Sequence, residues 1–432
     1  MRSLHAKRAG VSRLTVYALA ALAVQIISLA IWIVRFYFLE DHSSPMVGID
    51  FAIFWSAARV AMVHGAASVF SPQWMLPTEV ALGLDQYSVW PYPPTFLLAV
   101  LPFGLLRFGA ALMLYSLLGV LLYGAVLAHF VRRLDRAWLP PLLAFPGIAI
   151  AIGLGQNSLF TVAAAGAALA LIETDAGLAG LCIAMLAIKP QFGVLFPLAL
   201  VCGRHWKVFG VSALCALAFV AISVVVFGLD AWSAFATFLP QFNTMAVTQG
   251  GSMMWPGMPT TFALGRSAGL SVNAAYLLHG LVAVPAVLAM AFLWAQRARF
   301  ELRASSLIIA TLLVQPYVMF YDLAWLILPL VLLIRDNRTS VLVRMEWVVI
   351  AAAWLAPAQA LLSAYCRQYL NILPAVMIAL LVIVMRRHLA TTRYAGHEAC
   401  MRNTTHPAPA QTRGDVANRV QRIPPGSQTA GE

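Results

Sequence analysis

The sequence predicts an all-α, polytopic membrane protein: one helical bundle of about 12 transmembrane helices. Three observations predict it. The 432 residues are 62% hydrophobic and only 10% charged, with mean hydropathy +0.83. An ordinary soluble domain carries about 25% charged residues, so lipid rather than water must cover most of this surface. Apolar runs recur that match or approach the roughly 20 residues needed to cross a bilayer. Lysines and arginines gather mostly between those runs, as the positive-inside rule requires.

The first run, Leu14 to Phe38, is broken only by Gln25 and Arg35 and follows Arg2, Lys7, Arg8 and Arg13. It is too long for a signal peptide, and no small-residue cleavage site follows. It is expected to be a retained first helix behind a cytoplasmic N-terminus, residues 1–13. Val208 to Phe227, Val272 to Trp294 and the shorter Trp347 to Leu362 are further spans. The whole of 14–390 is expected to form one transmembrane domain. After it, residues 395–432 are rich in Pro, Thr, Gln, Gly and Arg without apolar periodicity, which predicts a disordered basic cytoplasmic tail.

Basic clusters at the N-terminus, Arg204 to Lys207, Arg297 to Arg303, Arg335 to Arg344 and after Arg386 mark the cytoplasmic side. Two long segments poor in Lys and Arg, 39–92 and 228–271, are then the outer loops, and both termini fall inside. Pro93 to Leu106 and Gly109 to Val131 leave two topologies. Either the first piece dips in and returns, or the basic stretch Arg132 to Arg136 lies outside. The second is the reading preferred, since outer basic groups suit a site that handles phosphate. The net charge of +12 follows from this topogenic pattern. No basic patch interleaved with aromatics points to nucleic acid. Cys182, Cys202, Cys215, Cys366 and Cys400 have no metal-ligand spacing and are expected to pack as small apolar residues.

The first outer loop is the least lipid-like part of the chain. From Phe51, apolar and aromatic residues recur at helical spacing, which predicts an amphipathic helix in the interface. Asp50 then falls at or near its N-cap. That is one reading, a cap; the other is a carboxylate facing a cavity, and the two are compatible. A second amphipathic piece covers Gln73 to Leu82. Trp90-Pro91-Tyr92-Pro93-Pro94 forces a rigid, extended lead into the next helix. Trp90 and Tyr92 read either as an interfacial aromatic belt or as a surface for a sugar or lipid.

Polar residues at membrane depth are costly and face a cavity or one another. Three interruptions stand out: Gly155-Gln156-Asn157-Ser158, Lys189-Pro190-Gln191, and Tyr321-Asp322 with Gln315-Pro316 a turn earlier. Lys189, followed by a helix-breaking proline, needs an anionic partner or a wet pocket. Asp50, Asp322 or a bound phosphate would each serve. Asp322 also reads as an interface residue between two short helices.

At these residues the chain resembles glycosyltransferase family 87, a branch of the multi-pass, C-type membrane glycosyltransferases that use polyprenyl-phosphate sugars. The resemblance covers about residues 45 to 210. It rests on Asp50-Phe51, on Tyr92-Pro93-Pro94 with Leu101-Pro102, and on Gly155-Gln156-Asn157. It continues through Ala176 to Leu181 leading to Lys189-Pro190 and closing on Arg204-His205-Trp206-Lys207. Where many relatives carry a histidine, this chain has Tyr321-Asp322. The resemblance implies C-type architecture, with amphipathic helices in the first outer loop. It implies a hexosyl- or mannosyltransferase that moves a sugar from a polyprenyl-phosphate donor to a lipid or glycan acceptor on the outer face. The acidic residue of the first outer loop, here Asp50, would be the general base. Single displacement would invert the anomeric centre. A lipid phosphate is already a good leaving group, so one carboxylate suffices. Lys189, then Arg59, would stabilise the departing phosphate, with Tyr321 and Asp322 beside them. Gln156 and Asn157 would bind sugar hydroxyls, and Trp90 and Tyr92 would stack on the sugar or line the lipid groove. No cofactor is implied, and no DxD pair suggests a metal. The expected location is a bacterial inner membrane, with membrane lipids as surroundings and no nucleic-acid partner. The rival readings are a transporter or flippase, against which no paired broken helices in two related halves appear, and a non-catalytic subunit of envelope assembly.

Overall fold

The computed structural model describes residues 2–405 other than His42, Arg133 and Leu370, with side chains outside the described set at 2–12, 252–253 and 392–405. The described residues are helical and carry no strand. Seven of their helices are long and apolar enough to cross a membrane, from Arg13–Tyr37 to Leu373–Thr391.

Helix α1 (Arg2–Tyr37) shows most of its described side chains outward, with only Ala18 and Phe36 buried. Its mid-run amide is satisfied: Gln25 donates to the carbonyl of Ala144 at 2.8 Å. That carbonyl lies just past a short helix that opens with Leu139-Pro140-Pro141. Helices α2 (Ile49–His64) and α3 (Pro72–Val80) follow, then α4 (Pro94–Val100) and its 3₁₀ extension Leu101–Leu105. This extension turns back against α2. The Trp55 indole donates to Leu106 O at 3.0 Å, and a Cβ on Gly104 would sit 2.9 Å from that of Ala58. The piece Pro93 to Leu106 therefore begins and ends beside α2, dipping and returning.

Helix α5 (Phe108–Val131) leaves from there toward the opposite end. Arg335 sits over the ring of Phe130, 5.8 Å from its centroid. Trp138 stacks on Trp347 at 5.5 Å and 4°, three residues from Arg344. The basic stretch after Val131 thus shares an end with Arg335 to Arg344, away from Asp50. The sequence had set these two stretches on opposite sides; the structure brings them to one end. Proline had marked Pro93 to Leu106 as a helix, but that helix is too short and broken to carry the chain across.

The return runs through α6 (Leu139–Leu143) and α7 (Pro146–Leu154), and then α8 (Ser158–Leu171), α9 (Ala176–Ala184) and α10 (Phe196–Cys202) are short. Helix α11 (Trp206–Phe242) is two helices joined at Gly228, whose φ of 79° and ψ of 167° are non-helical. Small helices α12 (Gly251–Met254) and α13 (Thr261–Ser267) precede α14 (Val272–Ala295), α15 (Phe300–Val314), α16 (Ile327–Asp336) and α17 (Arg344–Tyr365). Helices α15 and α16 are mostly apolar and almost entirely buried, as helices without a polar face must be, and their charged residues Glu301, Arg303, Arg335 and Asp336 lie at the end that carries the ion pairs. Ser306 and Thr311 of α15 bond back to carbonyls of their own helix.

The end remote from Asp50 is closed by ion pairs. Asp336 meets Arg299 at 3.0 Å and Arg387 at 2.5 Å. Glu346 meets Arg386 at 2.5 Å and Arg387 at 3.3 Å, and Arg303 pairs with Glu173. The basic clusters at 297–303, 335–344 and 386–387 converge here, each with an arginine paired to a carboxylate of a neighbouring helix. The chain divides at His388 into two units. Helix α18 (Leu373–Thr405) includes Ala395 to Thr405; the remainder of the tail expected to be disordered, 406–432, lies outside the described residues.

Candidate functional site

Three interrupted helices meet at the Asp50 end, and each interruption is one of the polar breaks in the sequence. The first is the corner between α7 and α8. Gly155 closes α7 with φ of 67°, and a Cβ there would lie 2.5 Å from that of Phe51. Only glycine lets this corner press against the first turn of α2. The N–H of Gly48 also donates to Gly153 O at 2.8 Å. The second is Lys189-Pro190, between 3₁₀ turns that continue α9 and lead to α10. The third is Gln315 to Met319, between α15 and the 3₁₀ turn Phe320–Leu326. The Gln315 amide donates to Gln191 O at 2.7 Å, tying the second break to the third.

Asp50 stands in the first turn of α2 and is not its cap. Gly48 holds that position, without a side-chain hydrogen bond. The carboxylate instead faces Gln156, whose Nε2 donates to Oδ2 at 3.1 Å. Burial pushes the Asp50 carboxyl up to about 7, against the downward pull of the Lys189 charge and of the Gln156 N–H.

Lys189 finds its counter-charge in Asp322. The Nζ–Oδ1 distance is 2.6 Å, with the side chains 3% and 1% exposed. Asp322 also accepts from Ser158 Oγ at 3.2 Å and, through Oδ2, from the N–H of Met319 at 3.2 Å. The ammonium is flanked by the rings of Phe192 and Tyr321, each 5.2 Å from its centroid.

A cavity of about 1090 Å³ opens over these groups. Asp50, Tyr92, Gln156, Lys189 and Tyr321 line it, and Lys189 is the only cation among its lining residues. The rest of the wall is largely apolar, with Ile53 and Phe54 of α2 and Phe235, Leu239, Phe242 and Met245 from the second part of α11 and the turn after it. The arrangement offers a proton acceptor, a cation and an oily wall around one space. Among the described residues no three of His, Cys, Asp and Glu gather as a metal would need.

Four expected residues stand elsewhere. Arg59 lies more than two turns along α2 from Asp50. Its guanidinium is 5.7 Å from the Trp55 ring centroid and 3.4 Å from Gly104 O, outside the cavity. Trp90 is fully buried and stacks on Phe96 at 5.4 Å and 3°. It is core, neither belt nor sugar platform. The side chain of Asn157 is buried away from the cavity, and both its amide atoms lack a partner among the described residues. Asp322 does not line the cavity and sits behind Lys189, which does. In the other direction, Tyr317 and Asn243 line the cavity unforeseen. Tyr317 follows Pro316, so the helix break was its signal; Asn243 had none. Glu79, fully buried in the first outer loop, was also missed. It accepts the N–H of Ser88 at 2.9 Å and so holds the strap that carries Tyr87 and Ser88 into the cavity wall.

Fold and site together define a polytopic membrane protein with a charged pocket built from helix breaks at one end of its bundle. The profile of glycosyltransferase family 87 matches residues 90–316, more than half of the chain, and the chain belongs to that family. It is therefore a membrane glycosyltransferase. The match takes in Trp90, Tyr92, Gln156, Asn157 and Lys189, and begins after Asp50 and Arg59. No curated protein matches the chain, and neither does any solved structure.

Proposed function

We propose that the protein transfers a hexose, mannose or another, from a polyprenyl-phosphate donor to a lipid or glycan acceptor at the outer face of a bacterial inner membrane. One observation carries the proposal: Asp50 and Lys189, from different elements, border one half-apolar cavity at the end of the bundle opposite the paired arginines. The apolar wall suits a prenyl chain. Lys189 suits the phosphate that departs, and Tyr321 frames it. Asp50 accepts the proton of the acceptor hydroxyl as that oxygen attacks the anomeric carbon. The bond from that carbon to the phosphate oxygen breaks on the opposite face, so the product is inverted. General base action of this kind contributes roughly 10²–10⁴-fold, and the cation adds by stabilising developing charge on the phosphate.

The orientation is part of the proposal. The seven long helices and the shorter apolar ones between them would together give about twelve passes. The arginine-rich end faces the cytoplasm with both termini, by the positive-inside rule, and the cavity opens outward. The test is donor choice by the purified protein. Label should pass from a polyprenyl-phosphate hexose and not from a nucleotide hexose, into a product of inverted anomeric configuration by NMR. Transfer from the nucleotide sugar alone would refute the donor class, and retention would refute single displacement.

A further inference from the structure

Gln156 reads in the sequence as a contact for sugar hydroxyls. Its surroundings say otherwise. The side chain is only 3% exposed, and both ends of its amide are engaged by protein. Oε1 lies 2.7 Å from the backbone N of Asn157 and 3.4 Å from the hydroxyl of Tyr92. The backbone N–H can only donate, so the amide end facing it must be the oxygen. Nε2 is thereby turned to Asp50, 3.1 Å from Oδ2. The opposite flip would set NH₂ against the N–H of Asn157 and a carbonyl against a carboxylate. Gly155, through its left-handed backbone, fixes the corner that presents this amide. The other carboxylate oxygen, Oδ1, has no hydrogen-bond partner among the described residues, while Asp50 borders the cavity.

We infer that Gln156 is a positioning residue for the base: it clamps Oδ2 of Asp50, fixes the plane of the carboxylate, and leaves Oδ1 to receive the acceptor's proton. This rests on the reading of Asp50 as the base. In the step itself the acceptor O–H bond breaks, its proton goes to Oδ1, the oxygen bonds to the anomeric carbon, and the electron pair of the old bond leaves on phosphate. Gln156 exchanges no proton. Its second effect is electrostatic, because a donated N–H favours the ionised carboxylate and opposes the effect of burial on Asp50. The other groups that act on Asp50 are Lys189, Asp322 and the phenols of Tyr92, Tyr115, Tyr317 and Tyr321.

The test is the pH profile of transfer by the full-length protein in nanodiscs. The probe is a labelled short-chain polyprenyl-phosphate mannose, with a lipid extract of the host membrane as acceptor. Gln156→Leu removes the donor, so the acidic limb of kcat/KM should move up by about one to two pH units. Gln156→Glu puts a second carboxyl beside Asp50 and should move the limb further in the same direction, with transfer partly recovered at high pH. KM for the donor should stay within about threefold of wild type in each. A sugar contact would show the reverse: a raised donor KM with the limb unmoved, and that result overturns the inference. If Gln156→Leu fails to fold, the isosteric Gln156→Glu carries the test by itself. The two readings fail separately. Transfer by Asp50→Asn at the wild-type rate removes the base; a dead Asp50→Asn beside an unmoved limb in the Gln156 variants removes only the clamp.

Discussion

The buried pair of Lys189 and Asp322 gives the sharpest energetic prediction. Both side chains are almost wholly enclosed, and Asp322 accepts three hydrogen bonds, from Lys189, Ser158 and the N–H of Met319. Asp322→Ala strands the ammonium, at a cost of about 3–5 kcal/mol for a buried pair that loses one partner. It also orphans two further donors, at roughly 1 kcal/mol or more each. The sum, about 5–7 kcal/mol, approaches the whole stability of an ordinary domain, so the variant should fold poorly or not at all. Lys189→Met combined with Asp322→Leu replaces both charges by apolar groups of similar bulk, which is often close to neutral, and should recover most of the loss. Equilibrium unfolding in mixed detergent micelles, followed by tryptophan fluorescence, measures both. A loss below about 1 kcal/mol for Asp322→Ala would mean that cavity water screens the pair as it does a surface pair, and the reasoning would fail. The double variant separates structure from chemistry. It should be folded yet defective in transfer by at least tenfold, because its cation is gone.

Three further outcomes follow from the same geometry. Transfer should rise with pH between about 6 and 8, since the base acts deprotonated and burial holds Asp50 near 7; a limb near pH 4 in a pH–rate series would contradict that burial. Arg59→Ala should leave kcat/KM within about twofold of wild type, because the guanidinium packs on Trp55 outside the cavity; a tenfold loss would return Arg59 to the site. Gly155→Ala forces a side chain into a left-handed backbone, about 1–2 kcal/mol, and into Phe51, so thermal stability and transfer should fall together. Loss of neither would mean that the corner between α7 and α8 yields.

The bundle was legible because lipid imposes long apolar runs, and because arginines gather where the chain leaves the membrane. The basic clusters at 204–207, 297–303 and 335–344 do share one end. The site was legible as well, for a related reason. A polar group at membrane depth has to be satisfied, and the breaks at Gln156, Lys189 and Asp322 are satisfied by one another and by Asp50. Proline misled at Pro93 to Leu106. It marks where a helix begins but says nothing of whether that helix crosses, and contact with α2 turns this one back. Arg59 and Trp90 misled because residue type alone cannot tell which face of a helix or strap meets a cavity. Asn243 and Tyr317 reach the site only through the folding of the second outer loop and of α15, at sequence distances that no local pattern records.

The most direct measurement is transfer of labelled hexose from a polyprenyl phosphate in purified membranes, comparing wild type with Asp50→Asn at matched expression. The substitution keeps the shape of the side chain and its contact with Gln156 but removes the proton acceptor. The account predicts turnover by the wild type and a loss of about 10²–10⁴-fold in the variant. Equal turnover by the two proteins would contradict it.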